Sequence, residues 1–163
     1  MVNKIISINE IKKIIGAIPD PEIPVISINE LGILREVEFD NDECLITITP
    51  TYTACPAMQF IEEEIKDRLG EIGINNVKVK LTYSPAWTTD WINENTKQKL
   101  KNYGIAAPLH SSCNKVFQKN VMMNCPHCNS TTTELISRFG STACKALYKC
   151  NTCKEPFEYF KCH

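Results

Sequence analysis

The sequence predicts an α+β protein in which helices pack on a mostly antiparallel sheet in a small α/β domain, followed by a C-terminal cysteine-bearing β ribbon. Three observations carry this reading. Apolar residues recur at helical spacing in three segments and at strand spacing in several others. A proline-rich loop, PDPEIPV, separates the first helix from the first strands. Two Cys-x2-Cys pairs, 125/128 and 150/153, stand near the end of the chain with 21 residues between them. At 163 residues, with 43% hydrophobic and 23% charged content, the chain suits one core of moderate size plus a small appendage.

Taken in order, SINEIKKIIGAI sets Ile8, Ile11, Ile15 and Ile18 on one helical face, with Ser7 and Glu10 at the spacing of a capping box. Pro19, Pro21 and Pro24 forbid continuation of that helix, so an ordered loop follows. ILREVEF and CLITIT, separated by DNDE, predict an antiparallel hairpin with Val37 and Phe39 facing the core. AMQFIEEEIKDRLG carries Ala57, Ile61, Ile65 and Leu69 at helical spacing, with Pro56 at the first helical position and Gly70 as its stop. VKVKLTY alternates Val77, Val79, Leu81 and Tyr83 against lysine and threonine, a half-buried strand that SPAW ends. TTDWINENTKQKLKNYG predicts a third helix, capped by Thr88 or Thr89 and closed near Gly104. In IAAPLHSSCNKVFQKN the periodicity is lost. The first domain is therefore assigned to residues 1–115, with a linker from about 104, and the ribbon to 116–163.

Composition excludes several classes. Eighteen basic against nineteen acidic residues give a net charge of -1 without long blocks of either sign, so no nucleic-acid partner is expected. No apolar run approaches the roughly 18 residues that span a bilayer, and the N-terminus lacks the apolar stretch of a secretory signal. The expectation is a cytoplasmic protein with no membrane partner. Nine cysteines in that compartment stay reduced, which points to metal binding or thiol reactivity instead of a disulfide framework.

Each Cys-x2-Cys turn brings two thiolates to one side of a tight loop, and two such turns offer a tetrahedral four-sulfur set: Cys125, Cys128, Cys150 and Cys153. The predicted element is a zinc ribbon, its strands drawn from TELISRF, KALYK and EPFEYFKC. Four cysteines close the coordination sphere, so the metal is structural, and tetrahedral sulfur suits iron as well as zinc. His127 and His163 are substitute ligands of lower weight, while His110, Cys113, Cys144 and Cys162 read as linker, packing or surface residues. Phe139, Tyr148, Phe157, Tyr159 and Phe160 form the ribbon's own core or a partner face, with core favoured.

Cys55 stands between the second hairpin strand and the following helix, beside Pro56. Two readings stay open from the residues alone. A helix N-terminus stabilises a thiolate and lowers its pKa, with the hydroxyls of Thr49, Thr51 and Thr53 nearby; or the cysteine is a small buried hydrophobe. Glu22, held between two prolines, is either a preorganised ligand or a turn residue. Trp87 and Trp91 read as core packing first and as a partner-facing pair second.

DPEIPVISINELGILREVEF, ITITPTYTACPAMQFIEEEIKDRL and VKVKLTYSPAWTTDWI together resemble the SufT-like iron-sulfur assembly family of small α/β domains. With YGIAAP, SRFGSTACKALYKC and EPFEYFKCH appended, the pattern is similar to a branch of it encoded with bacterial phenylacetyl-CoA epoxidase. The resemblance implies an accessory or maturation subunit, not catalytic alone, in aerobic phenylacetate degradation. It implies the epoxidase oxygenase or reductase as partners and Cys55 as the metal-handling position, with Glu22 in the family's acidic loop. The cargo would be transiently bound iron or an iron-sulfur cluster. One cysteine cannot fill a cluster's coordination, so a homodimer or a partner must supply the remaining ligands. The chain lacks the paired Glu-x-x-His ligands of a di-iron oxygenase and the glycine-rich phosphate loops of a reductase or nucleotide hydrolase. A purely structural subunit and a zinc-ribbon nucleic-acid binder are the competing classes.

Overall fold

The computed structural model describes residues 6–40, 43–108 and 123–161. The chain divides into two compact units between Trp87 and Thr88. The boundary expected near residue 115, together with His110, Cys113, Cys162 and His163, lies outside the described residues. No helix among the described residues is long and apolar enough to cross a membrane.

In the first unit the capping box forms as its spacing predicts. Ser7 Oγ accepts from Glu10 N at 3.2 Å, and Glu10 Oε2 accepts from Ser7 N at 2.9 Å, satisfying donors that the first turn leaves free. They open α1 (Ile8–Gly16), whose Ile11 and Ile15 are fully buried while Ile8 stays exposed. The prolines end the helix, and residues 18–28 close on themselves: Asp20 N donates to Ile26 O and Ile28 N to Ile18 O. Ile18, Ile23, Ile26 and Ile28 are buried, so this loop is anchored by its own apolar side chains.

β1 (Leu34–Asp40) and β2 (Glu43–Ile48) form the antiparallel hairpin. β3 (Val77–Leu81) then pairs in parallel with β2, giving the order β1-β2-β3. A parallel pair needs a crossover, and α2 (Ala57–Glu71) supplies it. Cys44, Ile46 and Ile48 from β2, Ile61, Ile65 and Leu69 from α2, and the α1 isoleucines make one core. Trp87 joins the buried set and its indole N–H donates to Leu31 O at 2.7 Å, in line with core packing.

Three local expectations are corrected by this packing. Val37 is buried, but Phe39 is 47% exposed, because it lies on an edge strand beside the hairpin turn. Leu81 and Tyr83 are likewise exposed on and after the other edge strand, β3. Gly70 sits inside α2, and the stop is Gly73 at φ 85, with Gly73 N donating to Gly70 O and Ile74 N to Leu69 O.

The second unit opens with a single 3-10 turn, Thr89–Trp91, capped by Thr88. The expected continuous helix is broken there: Ile92 is extended, and Asn93 caps a separate α3 (Glu94–Asn102) by accepting from Thr96 N at 2.9 Å. An asparagine side chain competes with the helical ladder in this way, and Trp91 ends up half-buried. Gly104 at φ 89 closes α3 as expected. β4 (Ile105–Ala106), β5 (Thr133–Ser137), β6 (Lys145–Cys150) and β7 (Pro156–Phe160) form a second sheet in the order β4-β7-β6-β5. Only the β4–β7 pair is parallel.

Tyr148, Phe157, Tyr159 and Phe160 are buried, whereas Phe139 is exposed. Tyr148 stacks on Phe157 at 5.8 Å between centroids and meets Tyr159 edge-on at 5.9 Å. Beside this core, buried Lys145 Nζ pairs with Glu158 Oε2 at 3.0 Å. Burial alone would raise the Glu158 carboxyl, but the Ser141 N–H and the Lys145 ammonium outweigh it and hold the group below its usual range. The stabilisation it gives is present above the unfolded pKa of about 4.3 and is lost as pH falls through the lower folded value. At neutral pH, Glu158→Gln leaves a buried ammonium uncompensated and is expected to cost about 3 kcal/mol in chemical denaturation of the metal-loaded protein. Lys145→Met/Glu158→Leu should recover most of that loss; no recovery would contradict the buried-charge argument.

Candidate metal centres

The four predicted ribbon cysteines converge, with all their sulfurs within 4.8 Å of one another. Cys125 Sγ lies 3.7 Å from Cys153 Sγ, and Cys128 Sγ lies 3.5 Å from Cys150 Sγ. A tetrahedral thiolate site with metal–sulfur bonds of about 2.3 Å has sulfur–sulfur edges of about 3.8 Å, whereas a disulfide needs about 2.05 Å. The spacing fits a metal and is far too long for disulfides.

Two near-identical turns produce this arrangement. Asn129 N donates to Cys125 O and Lys154 N to Cys150 O, while Cys125 N donates to Ser130 O and Cys150 N to Glu155 O. The residue after each pair, Asn129 at φ 61 and Lys154 at φ 69, takes the left-handed conformation that lets the turn close. Ser130 Oγ and Thr152 Oγ1, 2.7 Å apart, tie the two turns together.

The thiols respond unequally to this crowding. The Cys153 N–H, 3.5 Å from Cys150 Sγ, leads the interactions that lower the Cys150 pKa to about 6. Cys153 accepts from the Glu155 N–H, yet burial and its sulfur neighbours push it up to about 12, and burial also raises Cys125. Four sulfurs this close share negative charge poorly, and a bound cation is what allows all of them to ionise. His127 contributes its backbone N–H to Cys125, and its ring lies against Gly104 instead of joining the cluster. Cys144 is buried away from this set, with Thr142 Oγ1 3.0 Å from its sulfur.

The first unit assembles a different constellation around Cys55. Pro56, expected at the first helical position, is the N-cap of α2, so Cys55 stands one residue outside the helix. Cys55 is 8% exposed, and Ala54 before it sits at φ 61, a conformation that costs energy for a non-glycine residue. The Ala57 N–H and the Tyr52 side chain hydrogen-bond to the sulfur. Of the nearby threonines, Thr49 and Thr51 are buried and Thr53 is exposed; Thr49 Oγ1 has no hydrogen-bond partner among the described residues.

The lowered Cys55 pKa that one of the two open readings requires is reversed, and the cysteine is buried as the other has it. Burial raises it most, and the negative charges of Glu22 and Asp20 add to the rise, so the helix N-terminus is outweighed. Glu22, on the proline loop, is thus within electrostatic reach of Cys55. Asp20, which sequence reasoning missed, builds the loop: its buried Oδ1 accepts from Glu22 N at 2.9 Å and from Ile23 N at 2.8 Å. An aspartate that accepts from the amides two and three residues on is a local turn signal readable in DPE; Tyr52 carried no such signal. A cation bound at Cys55 would offset the field of these carboxylates and favour the thiolate. Among the described residues, however, only the four ribbon cysteines lie close enough to form a complete ligand set.

Comparison with known proteins agrees with this two-part layout. Residues 8–85 match the family described as iron-sulfur cluster assembly protein, and residues 110–161 match the PaaD zinc beta ribbon domain. The chain is 45% identical over 155 residues to an Escherichia coli (strain K12) protein assigned to 1,2-phenylacetyl-CoA epoxidase as one of its subunits, covering 95% of this chain and 93% of that protein. It is 34% identical over 94 residues to an Fe-S protein maturation auxiliary factor of Porphyromonas gingivalis (strain ATCC BAA-308 / W83), covering 56% of this chain and 88% of that one. A crystal structure of a domain of unknown function from Bacillus anthracis superposes with a TM-score of 0.52 at 27% identity, covering 57% of this chain and 90% of that chain.

Proposed function

Because the chain belongs to the PaaD family of 1,2-phenylacetyl-CoA epoxidase subunits, we propose that it is an accessory maturation subunit of that multicomponent monooxygenase, acting in aerobic phenylacetate degradation. Cys55 transiently holds iron or an iron-sulfur unit and passes it to the oxygenase or the reductase. Glu22 shares the cargo as an oxygen ligand, and Asp20 holds the loop that carries it. The observation behind this reading is a nearly buried cysteine held just before α2 by the Ala57 N–H and the Tyr52 side chain, within the electrostatic field of Glu22 and Asp20. The remaining ligands come from a second copy of the chain or from the recipient. Arrival of the cation offsets the two carboxylates, so the thiol loses its proton as metal binds.

In this reading Cys125, Cys128, Cys150 and Cys153 hold a structural zinc, and the ribbon docks the recipient. The burial of Cys55 favours one second reading, a purely structural subunit that carries no metal beyond the ribbon's. Complementation separates the two. In cells lacking the native subunit, Cys55→Ala is expected to lower both epoxidase activity and iron loading of the epoxidase components by at least about tenfold. Full activity with full loading would overturn the hand-off and leave the structural role.

A further inference from the structure

One feature of the ribbon is left unused by either metal centre. Leu135 (47% exposed), Ile136 (53%) and Phe139 (66%) lie within five residues of one another on β5 and the turn that follows it. β5 is the outer strand of its sheet, with no neighbouring strand on its far side among the described residues. The register shifts between Leu135 and Ser137, which pair with Tyr148 and Leu147, leaving Ile136 as an inserted residue. Such a bulge breaks the in-out alternation, and two consecutive aliphatic side chains emerge into solvent. An exposed cluster of this kind marks an interaction site more often than chance exposure does.

The turn behind the cluster is held firmly. Gly140 N donates to Lys145 O at 2.8 Å, and Ser141 N donates to Glu158 Oε1, the same carboxylate that pairs with buried Lys145. A Cβ at Gly140 would stand 2.5 Å from that Glu158 oxygen, so a larger residue there would push the carboxylate off its bonds to Ser141 and Lys145. Phe139 N donates to Ser137 Oγ at 3.1 Å. Lys161 Nζ donates to Arg138 O at 3.0 Å and lies 4.6 Å from the centre of the Phe139 ring. Phe139 is thus a preorganised aromatic side chain, flanked by the cations Arg138 and Lys161. An aromatic anchor beside an arginine is a composition enriched at binding hot spots.

The geometry points to the β5 edge, with Leu135, Ile136 and Phe139 at its centre and Arg138 and Lys161 at its rim, as the docking surface for a protein partner that presents an apolar patch bordered by carboxylates. Charge complementarity selects that partner. Across 123–161 the ribbon has five basic side chains, Arg138 and four lysines, against three glutamates. A four-thiolate site holding a divalent cation adds two negative charges, so the loaded ribbon is near neutral and lacks the basic field that nucleic acid needs. Two of these cations, Arg138 and Lys161, stand at the Phe139 end of the apolar cluster, while Glu134 beside Leu135 faces Lys149 in the β5–β6 register, so the Phe139 end suits an acid-rimmed protein surface.

The surface rests on the docking role proposed above for the ribbon, and the experiment separates the two. Binding of the full-length, zinc-loaded protein to purified epoxidase oxygenase and reductase components is measured by biolayer interferometry across a salt series. Ile136→Ser and Phe139→Ser are each expected to weaken binding at least tenfold, and Arg138→Glu to weaken it while flattening its salt dependence. Each variant should retain the wild-type zinc content as its check of folding, with Leu135→Lys as a further variant. Undiminished binding by the zinc-loaded variants would overturn the surface and leave docking elsewhere on the ribbon. Failure of the wild type to bind either component would overturn the docking role together with the surface. Self-association of the wild type that these variants abolish, or salt-dependent DNA or RNA binding that they abolish, would reassign the surface to a second copy or to nucleic acid and so overturn the proposal.

Discussion

Removing the ribbon's metal with a chelator, or replacing Cys150 by serine, unfolds the second unit while the first keeps its structure. The expectation follows from size and packing. The ribbon's core is three aromatic side chains, Tyr148, Phe157 and Tyr159, with Ala106, Met123, Ala146 and two of the metal-facing cysteines, too little to offset the entropy of ordering the segment unaided. Structural zinc contributes about 10–16 kcal/mol in comparable small domains, far beyond that deficit. Cys150→Ser removes a fully buried sulfur 3.5 Å from Cys128 Sγ and leaves the site one thiolate short of four. Since β4 pairs with β7, loss of the ribbon also removes the partner of the strand that follows α3. Backbone amide NMR spectra before and after chelation check this. Collapse of the signals of 123–161 with retention of those of 6–87 is expected, and a ribbon that stays dispersed without metal contradicts it.

Cys55→Ala is expected to abolish iron uptake by the first unit without unfolding it. The substitution removes one sulfur from a nearly buried site, a loss of about 1 kcal/mol of packing, whereas it removes the sole sulfur donor of the constellation. Glu22→Gln keeps the loop and loses the charged ligand, so iron binding should weaken about tenfold. Asp20→Ala, by freeing the Glu22 and Ile23 amides, should weaken it through the loop and lower thermal stability as well. Anaerobic ferrous titrations with the recipient component present read these effects. Equal uptake by wild type and Cys55→Ala would contradict the assignment.

Where structure is set by neighbours in sequence, the sequence was a sufficient guide. The Ser7–Glu10 capping box, the β1–β2 hairpin and the two cysteine turns each need only local spacing, and all three form. The failures are of another kind. Phe39 alternates correctly with Val37, but exposure on an edge strand depends on what lies beside it. Gly70 and Gly73 are both plausible stops, and the choice falls to the hydrogen bonds around Leu69. β4 has two residues and exists through pairing with β7, more than fifty positions away. The Cys55 pKa carries the same lesson: the helix end beside it is local, while the burial that reverses the shift is set by tertiary packing, and the carboxylates that add to it arrive on a loop about thirty residues upstream.

Cys55 as the working atom of the first unit, with the ribbon cysteines structural, is tested most directly by metal content. Zinc, iron and acid-labile sulfide stoichiometry is measured on wild type and Cys55→Ala, purified anaerobically after expression with iron available. One zinc per chain in both proteins, with iron present in wild type and missing from Cys55→Ala, is the predicted result. The same iron content in both proteins would contradict it.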